Sequence, residues 1–587
     1  MKTRLVRVLL LCLFTALLAI PFLDRAQFLQ VVLFYVTMKP VSGWQLIAPG
    51  DAAIFASITA LVYLSFVPRI PFFLTLLSRL SAVVLYLIYL VDLYILRNFY
   101  TRLLLEDAAK YLSYSGKYLV QQYHGKLWLL PVPAVLLIVL GYFLVERRRI
   151  RSRVTHGYFV LLFSMLLSVS LFASQHQYVH AWTYQNIFRY NYSVYSSAKP
   201  YSEEFARHHL YVEDVVTQPK KALTPNVILL MVESLSAYHS ALFSGINDWT
   251  PELDAIARQN FYYEDFYANG FMTEDAEISL LTGLLPIYPP SNNSFVGVEA
   301  FTGFHNVAES LPRLLHDKGY VSDFMTTADL AFSGTGEWAK GIGFDYVEGH
   351  EHPYYNGFKR FQFHSAPDAA LYDRVMSRIA EHHERYFIFL KTVSTHHPFE
   401  DPEGGPPSEQ TVVRYADRQI GAFYRRLTEA GFFKNGILII VGDHHAMVPL
   451  SAAELEKFGE HRAAARVPAV VCRGNDARGI EKRAFQQVDI YNGIKNLVSD
   501  QMSSSKWRGD ALNEPRPAAT YIAHRRGDDR GMVSVFSPDQ DYQLHLDGDA
   551  TALTGGGVDA ADEHALLDKI NAVRIDRVHS FAKTTVE

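Results

Sequence analysis

Two regimes of hydrophobic spacing divide the chain. Up to residue 174, Leu, Val, Ile and Phe fall in long, nearly continuous runs; from Asn226 they fall in short runs separated by stretches of helical period. Runs near 5–23, 52–68, 70–96, 127–145 and 157–174 approach the roughly 20 apolar residues that a membrane-crossing helix needs. A five-span α-helical membrane domain is therefore expected over 1–174. The first run follows Lys2, Arg4 and Arg7 but precedes no clear small-x-small cleavage site, so it reads as a retained anchor. The run 27–37 is too brief to cross and reads as interfacial.

Loop charge orients the spans. Arg147, Arg148, Arg149, Arg151 and Arg153 follow the fourth run, which places that loop and the N-terminus on the cytoplasmic side and everything after 174 outside. The 97–126 loop, with Arg97, Arg102, Lys110, Lys117 and Lys126, opposes this orientation, but it is longer and carries Glu106 and Asp107. Residues 175–223 form a juxtamembrane connector with Trp182, Tyr184, Tyr190, Tyr192 and Tyr195, rings that favour the headgroup layer. A plain linker fits the connector equally well.

The second regime reads as strands at 226–232, 320–326, 386–393, 436–442 and 468–473, with helical patterns at 309–318, 367–385 and 411–430 between them. Continuous apolar strands alternating with helices predict an extracytoplasmic α/β domain over 224–525, built on a mostly parallel sheet covered on both faces. Two alternating segments, 533–536 and 542–546, predict an antiparallel appendage over 526–587.

In such sheets the site lies beyond the carboxyl ends of the strands. Glu233-Ser234 follows the first strand, Ser394-Thr395-His396-His397-Pro398-Phe399 the third and Asp443-His444-His445 the fourth. Two carboxylates and an imidazole, Glu233, Asp443 and His444, suit one borderline divalent cation such as Mn²⁺ or Zn²⁺, and Mg²⁺ less well. Thr273, just after Gly270 at a helix start, is either an N-cap or a metal-activated nucleophile at a phosphate-binding helix end. Of the other histidine doublets, His382-His383 reads as a solvated helix face, and His208-His209 sits in the connector.

Composition excludes some classes. The net charge is −5, which gives no reason to expect a nucleic-acid partner. Cys12 lies in the first apolar run, so a bridge to Cys472, the second of 2 cysteines, is not expected.

Four ordered motifs resemble the lipoteichoic acid synthase and phosphoglycerol transferase family of the alkaline phosphatase/sulfatase-like superfamily. They are Asn226–Val232 with Glu233-Ser234, Gly270-Phe271-Met272-Thr273-Glu274-Asp275, Thr395-His396-His397-Pro398-Phe399 and Gly442-Asp443-His444-His445. The resemblance covers roughly 224–500 and points to a Gram-negative-type member. It implies a sulfatase-like fold, one divalent metal (Mn²⁺ first, Mg²⁺ or Zn²⁺ as alternatives) on Glu233, Thr273, Asp443 and His444, and Thr273 as the nucleophile. It assigns His396, ahead of His397, to the glycerophosphate. It further implies a phosphatidylglycerol donor, a phosphothreonine intermediate, release of diacylglycerol and a glycan or polymer acceptor, at a bacterial inner membrane with the enzyme domain facing the periplasm.

The sequence departs from the family at one place. Where many Gram-positive-type members carry Asn-Arg after a Trp, this chain has Phe332-Ser333-Gly334, which leaves donor headgroup recognition open. It also lacks the Cys/Ser-x-Pro-x-Arg signature of true sulfatases. A phosphoethanolamine transferase or phosphodiesterase on the same core, and a catalytically silent scaffold, are the competing expectations.

Overall fold

The structure is a computed structural model. It describes residues 20–30, 48–65, 70–99, 153–172, 185–196, 214–287, 307–397, 399–474, 478–527, 531–547, 550–554 and 566–574, with a few single positions between them. Two compact units result, Met1–Ser193 with Val448–Ala452, and Val194–Met447 with Ala453–Glu587.

In the first unit, helices α1 (Pro49–Leu64), α2 (Phe72–Phe99), α3 (Arg153–Phe172) and α4 (Ile187–Ser196) are described. Pro49 opens α1, where its missing N–H costs nothing. Ile54, Phe55, Ile58 and Val62 of α1 pack with Tyr86 and Tyr89 of α2 and with Phe159 and Leu166 of α3. Charges buried among them are paired, as an apolar surrounding demands. Arg25 Nε donates to Asp51 at 2.6 Å, and Arg102 donates to both carboxylate oxygens of Asp92. The stretch Phe72–Leu93 is long and apolar enough to cross a membrane, and Pro49–Leu64 and His156–Leu171 are shorter apolar helices. Three of the expected spans thus fall on apolar helices. The run 127–145, most of 5–23 and most of the arginine cluster lie outside the described residues.

The second unit is built on an eight-stranded sheet of β1 (Asn226–Val232), β2 (Phe261–Tyr263), β3 (Tyr320–Thr326), β4 (Tyr346–Glu348), β5 (Arg385–Lys391), β6 (Gly436–Gly442), β7 (Ala469–Arg473) and β8 (Gly479–Glu481). Their order is β8-β2-β7-β6-β1-β5-β3-β4, and β7 runs against both its neighbours. The expected mostly parallel sheet is present. Alternate residues of β1 serve two cores. Val227, Leu229 and Met231 meet α5 (Thr273–Thr282) and α8 (Gln487–Leu497); Ile228, Leu230 and Val232 meet α6 (Asp368–Glu381) and α7 (Glu409–Glu429). Each buried Leu or Ile contributes roughly 1.5–3 kcal/mol of transfer free energy, and the central strands are buried on both faces.

Register decides what the strand ends present. Val232 pairs with Gly442 and Met231 with Lys391, so Glu233 and Asp443 leave adjacent parallel strands side by side. A separate antiparallel meander, β9 (Ile522–Arg525), β10 (Met532–Phe536), β11 (Asp541–Asp547) and β12 (Ala550–Thr554), includes both expected alternating segments. It packs Val533, Val535, Tyr542 and Leu544 with Leu566 and Ile570.

One expectation fails. His382 does not lie on a solvated face: its Nε2 sits 2.7 Å from Asp323 Oδ2, and its ring stacks on Tyr386. The helix ends at Glu381, so His382 turns inward to Asp323, a buried carboxylate midway along β3 that Arg378 also pairs with. His383 is exposed as expected.

Candidate active site

Glu233 follows β1 directly, and the backbone turns there at a cost. Ser234 has φ +53°, a region that disfavours side chains. Its hydroxyl donates to Glu233 Oε1 at 2.8 Å and its N–H to Asp443 Oδ1 at 2.6 Å. Asp443 Oδ1 also accepts the His444 N–H at 2.7 Å. The other oxygen, Asp443 Oδ2, is buried and makes no hydrogen bond among the described residues. It lies 3.2 Å from His444 Nε2, which is 3.8 Å from Glu233 Oε1.

The His444 tautomer follows from its other nitrogen. Nδ1 faces the His445 carbonyl at 2.8 Å, and a carbonyl only accepts, so Nδ1 carries the hydrogen and Nε2 presents a lone pair. Glu233, Asp443 and His444 each offer one ligand atom, all within 4.8 Å of one another, and all three residues are buried. Two carboxylate oxygens and an imidazole lone pair converging in this way fit a divalent cation.

Electrostatics agree. Burial and the adjacent Glu233 push the Asp443 carboxyl well above its ordinary range. Burial also opposes charge on Glu233, but His396, His444, the Ser234 hydroxyl and Lys391 outweigh it and hold that carboxyl low. Two carboxylates this close cannot both ionise without a cation between them.

Thr273 is the first residue of α5, and Met272 occupies the cap position. The N-cap reading of Thr273 is therefore wrong: its hydroxyl donates to Glu233 Oε2 at 3.0 Å and lies 3.3 Å from His444 Nε2. The capping role falls to Asp275, whose Oδ2 accepts the N–H groups of Phe271 and Met272. A Cβ at Gly270 would lie 2.3 Å from that carboxylate, which is why the turn needs glycine there. One turn along α5, Glu277 is buried and pushed up to about 7 by burial, with Lys391 Nζ at 3.1 Å.

His396 lies on the loop after β5 but outside the triad. Its ring edge meets Phe363 at 4.8 Å, and its Nδ1 faces the His397 carbonyl. Asp368 braces this loop by accepting the N–H groups of Val393 and Ser394. Thr395 donates to the Glu233 carbonyl, and Thr392 Oγ1 accepts the Glu233 N–H at 3.0 Å. In the stretch Phe332-Ser333-Gly334, Ser333 has φ +55°, and its buried hydroxyl makes no hydrogen bond among the described residues.

The structure thus gathers Glu233, Thr273, Asp443 and His444 directly, and leaves His396 on the neighbouring loop against Phe363. Sequence reasoning missed the supports: Asp275 with Arg525, the Glu277–Lys391 pair, Asp368, and the carboxamides Asn269, Gln486 and Gln487.

Residues 225–499 match the Sulfatase family model. Curated relatives include phosphoglycerol transferase I of Escherichia coli (strain 55989 / EAEC) and of Shigella boydii serotype 18, each 24% identical over 282 residues. Those matches span 43% of this chain and 35% of either relative. Among solved structures, an alkaline phosphatase superfamily protein from Vibrio parahaemolyticus shares the fold, with a TM-score of 0.51, 18% identity, 68% of this chain covered and 96% of that one. The lipoteichoic acid synthase of Listeria monocytogenes aligns at a TM-score of 0.47 and 20% identity, over 63% of this chain and 96% of its own. Over residues 225–499 the chain is therefore similar to the Sulfatase family, and within that stretch it resembles relatives named phosphoglycerol transferase I while spanning about a third of their length.

Proposed function

We propose that the chain is a metal-dependent phosphoglycerol transferase that moves glycerophosphate from phosphatidylglycerol to a hydroxyl of an envelope glycan or polymer. The observation that carries this reading is the Thr273 hydroxyl held 3.0 Å from Glu233 and 3.3 Å from His444, at the open side of a buried ligand triad. Relatives named phosphoglycerol transferase I support the substrate class. Glu233, Asp443, His444 and Thr273 would hold the cation, with Mn²⁺ expected first. A bound divalent cation would neutralise phosphate charge and favour the threonine alkoxide.

The reaction runs as two displacements at phosphorus. Thr273 Oγ1 bonds to phosphorus and loses its proton, while the ester bond to diacylglycerol breaks and that oxygen takes up a proton. An acceptor hydroxyl then attacks the phosphothreonine and restores the Thr273 hydroxyl. His396 contacts the phosphate or headgroup. Five spans, a cytoplasmic N-terminus and a periplasm-facing second unit at a bacterial inner membrane complete the proposal, and they suit a donor that cannot leave the bilayer.

The test uses purified full-length protein with Mn²⁺ and mixed phospholipid vesicles. Diacylglycerol should appear faster from phosphatidylglycerol than from phosphatidylethanolamine, and quenched protein should carry phosphoglycerol on Thr273. Reversed preference would instead make it a phosphoethanolamine transferase. Release undiminished in Thr273→Ala would mean that water attacks, making the protein a phosphodiesterase.

A further inference from the structure

Thr273 and Asp443 must be set against each other to within a fraction of an ångström, yet the turn 269–272 that presents Thr273 lies outside the eight-stranded sheet. Something else must fix it. Three buried carboxamides stand at the junction, Asn269, Gln486 and Gln487, of which the last two are wholly inaccessible. Gln487 opens α8. Its Oε1 accepts the Asn269 N–H at 3.0 Å, and its Nε2 donates to the carbonyls of Gly442 at 3.0 Å and Asp443 at 2.7 Å. The orientation of that amide is forced, since one neighbour can only donate and the other two can only accept.

The surrounding groups leave the turn little freedom. Asn269 Nδ2 donates to Gln486 Oε1 and the Ala523 carbonyl, and its Oδ1 accepts the Val488 N–H. Gln486 Nε2 donates to the carbonyls of Trp507 and Tyr521. On the far side of the turn, Arg525 Nη1 donates to both oxygens of Asp275. Such a network rigidifies when every member is satisfied, and it is intolerant of a single loss.

We propose that Gln487 is a positioning residue that holds the Thr273 turn in register with the Asp443-His444 loop. It is the side chain that bonds both segments at once, the turn through Asn269 and the metal loop through Gly442 and Asp443. The proposal rests on Thr273 being the nucleophile. It assigns Gln487 no contact with substrate.

Gln487→Leu removes all three hydrogen bonds. Gln487→Glu keeps the acceptor for Asn269 but turns an anion toward two carbonyls, and it carries the test if the leucine variant fails to fold. With full-length protein, Mn²⁺ and phosphatidylglycerol vesicles, kcat for diacylglycerol release should fall about 10- to 100-fold, as misplacement by about 1 Å can cause. KM should stay within about threefold, and bound Mn²⁺ per folded protein should stay near the wild-type level. A kcat within twofold of wild type, or a raised KM at unchanged kcat, would overturn the positioning role. If Thr273→Ala keeps wild-type turnover, the nucleophile reading fails first and takes this assignment with it.

Discussion

The two flanks of the sheet's carboxyl edge are built differently. On one flank, after β1 and β6, the polar atoms around Glu233, Asp443 and His444 are tied to backbone groups, and the one buried oxygen left over is aimed at the ligand triad. On the other flank, around β3, β4 and the loop holding His396, Ser333, Phe363 and His364 all adopt positive φ. There Ser333 Oγ and His350 Nδ1 are buried without a hydrogen bond among the described residues, the latter 3.9 Å from Asp329. Strain and unmet polar groups gather where a ligand completes a site. The first flank holds the three grouped ligand atoms of Glu233, Asp443 and His444, to which the proposed group transfer is assigned. The second flank includes Phe332-Ser333-Gly334, where the buried Ser333 hydroxyl makes no hydrogen bond among the described residues.

The sharpest way to break this comparison is to damage the first flank. Asp443→Ala should lower turnover by at least about a thousandfold, since it strips a charged ligand and leaves Glu233 opposite an empty position. Metal analysis of the purified variant should show the ion lost. Wild-type stoichiometry would remove Asp443 from the ligand set.

Damage to the other flank should be milder. His396→Ala should slow diacylglycerol release about 100-fold, the lower end of what one lost charge-stabilising hydrogen bond costs, with metal content unchanged. An effect as large as that of Asp443→Ala would mean that His396 serves the metal.

Phe363→Gly should separate stability from recognition. Relieving φ +55° removes a strain of about 1 kcal/mol, while losing the ring against His396 should raise KM severalfold. A melting temperature that falls with KM unchanged would show that Phe363 is ordinary packing.

The smallest effect concerns pH and lies away from both flanks. Asp489 is pushed up to about 7, chiefly by burial, despite accepting the Gly509 and Gln486 N–H groups. Its folded value exceeds the unfolded one, so the folded state binds the proton more tightly. Stability from this group is present below about pH 4 and is lost as pH rises toward 7, by a few kcal/mol at roughly 1.4 kcal/mol per unit. Melting of Asp489→Asn between pH 4 and 7 should show a shallower decline than wild type. Parallel curves would refute the assignment.

How much of this was legible in the sequence differs by flank. Glu233, Asp443 and His444 follow apolar strands directly, so strand recognition alone located them, and the Val232–Gly442 register then made them neighbours. Thr273 was ambiguous locally because a hydroxyl at a helix start serves as a cap or a nucleophile equally well. Only the position of Glu233, 40 residues earlier, decides it. Gln487 and Arg525 were illegible for a related reason: their partners lie 218 and 250 residues away, and no local period marks a carboxamide or guanidinium whose role is to bridge segments. His382 misled because its neighbours in sequence are polar, whereas the end of the helix at Glu381 sends the ring inward to Asp323.

The clasp between Asp275 and Arg525 also sets an order of events during synthesis. The residues that steady the nucleophile turn arrive 250 residues after it, a delay of roughly 10–50 s at about 5–20 residues per second. Until β9 is in place, a nascent chain can carry its metal ligands and threonine without holding them in working register. Diacylglycerol release by chains ending near residue 515 would contradict this. The last eighth of the polypeptide, which includes Arg525, thus completes the clasp on the turn that presents Thr273.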